Sequence, residues 1–150
     1  MADDRLDRMA KLKALQQLRL AREQAELGGH VARTKEAADR LHQEEDLLAS
    51  DEARQFALLS GDGFDPGELR LAGLVLAGQQ ETALVARHEL DGKQRQERQS
   101  RQAVAICEAQ SDKLEDALRK TRRKAVEKAE GALAVELLAR GSARMAGDEG

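Results

Sequence analysis

Ser60-Gly61-Asp62-Gly63-Phe64-Asp65-Pro66-Gly67 holds the single Pro of the chain and three of its Gly within eight residues. Such a cluster marks a turn, and nothing comparable occurs elsewhere in the sequence. At its end, Asp65 followed by Pro66 has the form of a helix N-cap with Pro at the first helical position, and Glu68 places negative charge in the first turn. Upstream, from Asp3 to about Leu59, there is no Pro, and Leu20, Leu27, Thr34, Leu41 and Leu48 lie seven residues apart. Val31 and Ala38 fill the alternate seam position, so one stripe faces a partner. Leu6, Met9, Leu12, Leu15 and Leu18 extend the apolar content toward the start in a less regular register, and Asp3 or Asp4 is placed to cap this helix.

Downstream, Leu69, Ala72, Leu76, Ala83, Ala86 and Leu90 follow one three-four alternation. After a polar break, Val104, Cys107, Leu114, Leu118 and Ala125 continue it. Two long helices joined by one short turn cover each other's seams by running antiparallel. The expected fold is all-α: a long antiparallel two-helix coiled-coil hairpin in a single elongated body. Helix 1 is expected over about 3–59, the turn over 60–67, helix 2 over about 68–140, and a frayed tail over 141–150. Position i then faces about 126 minus i. That pairing sets the polar run Asp91–Gln102 level with Gly28, Gly29 and His30, a candidate hinge or a solvated, slightly frayed stretch. It also leaves 124–150 unpaired, with Leu133, Val135, Leu137 and Leu138 exposed.

Composition bounds the function. The 150 residues are 41% hydrophobic and 35% charged, with two Phe and neither Trp nor Tyr. An ordinary globular core closes with aromatics, whereas Ala, Leu and Val among Glu, Lys, Arg and Gln suit long helices. A helix of about 55 residues spans about 80 Å, so the hairpin has little interior and no enclosed site for a substrate. We therefore expect no enzyme, no cofactor and no small-molecule substrate. His30, His42 and His88 lack the close spacing of metal ligands, and Gly61 and Gly63 lack the Lys-Ser/Thr of a phosphate loop. Carboxylate groups such as Glu44-Glu45-Asp46 have no enclosed setting to tune them for acid–base work. The formal net charge is -3, the acidic start does not read as a secretory signal, and no apolar run is long enough to cross a membrane. A cytoplasmic protein is expected. The lone Cys107 falls at a core-facing position, where a buried, inert thiol is the commoner state, with a redox or dimer-linking role as the alternative.

Two features point to partners. Arg119-Lys120-Thr121-Arg122-Arg123-Lys124 concentrates positive charge. It is either a solvated face partly neutralised by Asp3, Asp4 and Asp7, or a docking surface for an acidic protein, or a nucleic-acid contact. The last is disfavoured by the missing aromatics and the net negative charge. At the turn end, Phe56 and Phe64 lie close in sequence, and Leu71, Leu74, Val75 and Val85 form an apolar stripe beside the seam. Phe64 is expected to fold over the turn in a small local core. The stripe and Phe56 are candidate partner-binding residues, together with Arg119, Arg122 and Arg123.

The segments Arg5-Leu6-Asp7-Arg8-Met9-Ala10-Lys11-Leu12, Leu18-Arg19-Leu20-Ala21-Arg22-Glu23-Gln24, and Lys113-Leu114-Glu115-Asp116-Ala117-Leu118-Arg119 running into Arg122-Arg123-Lys124 and Glu127-Lys128-Ala129-Glu130 give the chain a layout that resembles the flagellar FliJ family and its YscO-like relatives in type III secretion. The resemblance spans nearly the whole chain and implies a long antiparallel coiled coil. It also implies a cytoplasmic, non-enzymatic adaptor in flagellar assembly or type III protein transport, peripheral to the membrane-associated export apparatus. Such a protein links the export ATPase to the export gate and escorts chaperones. The alternatives from other classes are a basic-tailed nucleic-acid or nucleoid accessory protein, and a self-associating structural or secreted coiled coil.

Overall fold

The computed structural model describes residues 2–61, 63 and 65–148, apart from the side chain of Ala2. The protein is all-α, with two helices packed against each other: α1 (Ala2–Ser60) and α2 (Pro66–Asp148). No strand occurs among the described residues. The expectation for Phe64 lies outside them.

The joint is built as its chemistry requires. The carboxylate of Asp65 accepts the Gly67 N–H at 2.9 Å, and the Asp65 carbonyl accepts the Leu69 N–H at 3.1 Å as the first turn of α2 closes. Pro66, which has no N–H to leave unpaired, follows at the first helical position. Gly63 has φ = 78°, a left-handed conformation that a side chain at this position would strain. At the other end of the chain one expectation changes. α1 begins at Ala2, so Asp3 and Asp4 lie inside its first turn, where they suit the positive helix end and do not serve as caps.

By contacts the chain divides into two units, Glu23–Val104 and Met1–Arg22 with Ala105–Gly150. The first contains the turn. In it, α1 and α2 run antiparallel, with Gln79 bonded to Glu44, Arg87 to Glu45, and Arg40 to Glu89, close to the pairing of i with 126 minus i. Ala37, Ala83, Ala86 and Val104 are buried along the seam, and Ser100 is buried with them. Both helices continue unbroken through Gly28, Gly29 and Gly92, and no neighbour lies where a Cβ on Gly28 or Gly92 would fall.

In the second unit the two segments again run antiparallel. The Gln16 side-chain amide donates to the Cys107 carbonyl at 3.2 Å and to Gln110 at 3.4 Å. Cys107 and Leu118 are its most buried side chains, each 2% exposed, and the Cys107 thiol is free. From Val126 to Asp148 every residue is exposed, yet α2 stays helical to Asp148, beyond the expected boundary near 140. Six Ala with three Leu and three Glu outweigh the three Gly of this stretch, and with no Pro after Pro66 nothing in the sequence forces an earlier stop.

The seam of α2 follows the residues read from the sequence, with Lys93, Glu97 and Ser100 carrying the alternation across the polar break and Gln79 and Ser111 filling single steps on either side of it. The seam of α1 differs. Its leucine positions hold, but the alternate position lies three residues beyond each, not four. It is occupied by Glu23, His30, Ala37, Glu44 and Asp51, while Val31 is 40% exposed and Ala38 is exposed. Near the start of α1, Leu6 and Met9 are half-buried and Leu12, Leu15 and Leu18 face outward. Either spacing makes a seven-residue repeat, and the facing helix decides between them. Gln79 on α2 meets Glu44 with two hydrogen bonds, to its carboxylate and to its carbonyl, so a polar residue in this layer is satisfied.

Candidate partner-binding surfaces

At about 100° per residue, Leu71, Leu74, Val75 and Val85 occupy an arc of about 100° on α2, beside its seam. All four are exposed. Because the arc borders the seam, part of it is walled by α1: Leu71, Ala72 and Val75 line a cleft of about 290 Å³ with Leu58, Asp51, Arg54 and Glu68. The cleft has an apolar floor of Leu58, Leu71, Ala72 and Val75 rimmed by both signs of charge. Leu74 and Val85 extend the apolar arc outside the cleft. Phe56 is 72% exposed on α1 and does not line it. Leu58 and Arg54 were absent from the candidates read from the sequence. Leu58 lies one heptad-type step beyond Asp51 on the α1 seam, a signal visible only once the three-residue spacing is known.

The basic run is spread around the circumference of α2. Lys120 and Lys124 line a groove of about 370 Å³ with Arg5, Leu6, Thr121, Ala125 and Lys128, and no carboxylate is among these residues. Arg119 and Arg122 turn to a smaller recess of about 120 Å³ with Lys13, Glu115 and Leu118. Arg123 lines neither. Among the described residues no ion pair joins Asp3, Asp4 or Asp7 to the run. The neutralisation expected from those aspartates is therefore not made by direct pairing. Lys120, Lys124 and Lys128 recur every four residues on one face, the spacing that could have revealed the groove.

At the glycine level, the Arg101 guanidinium and then the Thr34 hydroxyl hold the Glu97 carboxyl below the usual carboxylate range, with Arg101 bonded to it at 2.7 Å. His30 sits in the seam with Nδ1 buried and without a hydrogen-bond partner among the described residues. His42 pairs with Asp46 at 3.6 Å on the surface, and His88 is exposed. Among the described residues no three His, Cys, Asp or Glu side chains gather as metal ligands, and no helix is long and apolar enough to cross a membrane.

Comparison with family models, with curated proteins and with solved structures returns no match.

Proposed function

We propose that the protein is a non-enzymatic helical adaptor that binds a protein partner through the α2 face carrying Leu71, Leu74, Val75 and Val85. The observation that carries this reading is the exposed apolar arc with its cleft at Leu58, Leu71 and Val75. Two helices cover one stripe each, and this second stripe remains available to a partner. Phe56 and the arginines Arg119, Arg122 and Arg123 are secondary contacts of the same adaptor. The resemblance of the layout to the FliJ and YscO-like proteins makes the export ATPase and the export-gate component the first partners to test, and a place at the cytoplasmic side of a type III export apparatus is part of the same proposal. In a pull-down at moderate salt, the wild-type chain recovers one of these subunits and the Leu71→Glu, Leu74→Glu variant loses it. Undiminished recovery by a folded variant refutes the face.

The groove of Arg5, Lys120, Lys124 and Lys128 supports a second reading, a nucleic-acid accessory protein. That reading requires DNA affinity that falls steeply with salt and disappears when Lys120, Lys124 and Lys128 are neutralised.

A further inference from the structure

An extended uncovered apolar surface lies on the last six turns of α2. Val126, Leu133, Ala134, Leu137, Leu138 and Met145 fall within an arc of about 140° at 100° per residue, and all are exposed, Leu138 and Met145 to 73% and 76%. This arc is rotated away from the seam that Leu118 and Ala125 continue, so it is not an extension of the intramolecular contact.

Charge order indicates what covers it. Glu127, Glu130 and Glu136, with Lys128 among them, leave the first half of the segment net negative, and Arg140 and Arg144, followed by Asp148, leave the second net positive. Glu136 is bonded to Arg140 at 2.7 Å within the helix, whereas Glu130 and Arg144 have no ion-pair partner among the described residues. A parallel copy would set Glu130 against Glu130 and Arg144 against Arg144. An antiparallel copy reverses this. With a two-fold axis near residues 135–136, Leu133 lies beside Leu137 of the other copy, Ala134 beside Leu138, and Glu130 faces the Arg140–Arg144 end, on the same side of the contact. Every such pair occurs twice, as an isologous interface demands. Glu130 lies near the middle of the apolar arc, where an unpaired charge opposes burial, and the arginines of a second copy compensate it.

We propose that residues 126–148 form an antiparallel homodimer contact, with Leu133, Leu137 and Leu138 at its centre and Glu130 with Arg144 setting its direction. This contact is independent of the face at Leu71 and Leu74.

The test is the association state of the full chain by sedimentation equilibrium over micromolar concentrations, with helix content followed by circular dichroism. The wild type associates reversibly to a dimer. Leu137→Glu with Leu138→Glu leaves a monomer whose helix content is that of the wild type. Glu130→Arg weakens dimerisation by about tenfold, Arg144→Glu does the same, and the two together restore it, a rescue that a generally damaged helix cannot give. A wild type that stays monomeric at the highest concentration overturns the proposal. So does a dimer indifferent to Leu137→Glu with Leu138→Glu, or a charge swap without rescue.

Discussion

Asp65 is the residue on which the geometry of the joint most depends, because its carboxylate satisfies a donor that α2 cannot satisfy internally. Asp65→Ala should cost about 1 kcal/mol in chemical denaturation, whereas Asp65→Asn, whose side-chain oxygen accepts the same N–H, should keep most of the stability. Gly28 is the reverse case: it is helical, a Cβ there meets nothing, and Gly28→Ala should stabilise by up to about 1 kcal/mol. Glu97 gives a dependence on pH. Its folded-state affinity for a proton is lowered, chiefly by Arg101, so it stabilises the fold above its unfolded pKa, and that contribution is lost as pH falls through the folded value. The melting-temperature gap between wild type and Glu97→Gln should therefore be present at neutral pH and close in acid. The Asp65–Pro66 cap was legible in sequence because capping is local chemistry. Arg101, four residues beyond Glu97, is a local partner of the same kind, but Thr34 was not legible, because it reaches Glu97 from 63 positions away.

At the scale of the helices, the leucine repeat from Leu20 to Leu48 and nearly all of the apolar α2 seam could be read directly, since each is a periodic signal in one element. The alternate position of α1 could not. Val31 and Ala38 are more apolar than Glu23, His30 and Glu44, yet the latter face α2, where Gln79 supplies hydrogen bonds to Glu44. Which flank of a leucine repeat turns inward depends on the opposing helix. Two substitutions measure the consequence. Leu118, 2% exposed, should lose about 2–5 kcal/mol as Leu118→Ala. Val31→Glu should stay within about 0.5 kcal/mol of the wild type, as exposed substitutions do. The basic run is a similar case: its charge was plain in the sequence, but the groove with Arg5 joins residues more than a hundred positions apart.

For the molecule, one principle links the proposals for function and assembly. A helix pair buries one stripe on each member, and any further apolar stripe is free for another chain. The arc at Leu71, Leu74, Val75 and Val85 was apparent from composition beside the seam, and so was the apolar cluster at Leu133, Leu137 and Leu138. Their assignment to the outside depends on which residues the seam covers. The central claim is thus the register of α1, and thiol labelling tests it on the full chain. The only native thiol, Cys107, is first replaced by Ser, and a single Cys is then placed at 37 or at 38. With a thiol reagent under native conditions, Ala38→Cys should react at the rate of an unfolded thiol and Ala37→Cys far more slowly, the two rates converging in denaturant. Protection of position 38 and free reaction of position 37 would contradict the account, because the covered and uncovered faces of α1 would then be exchanged.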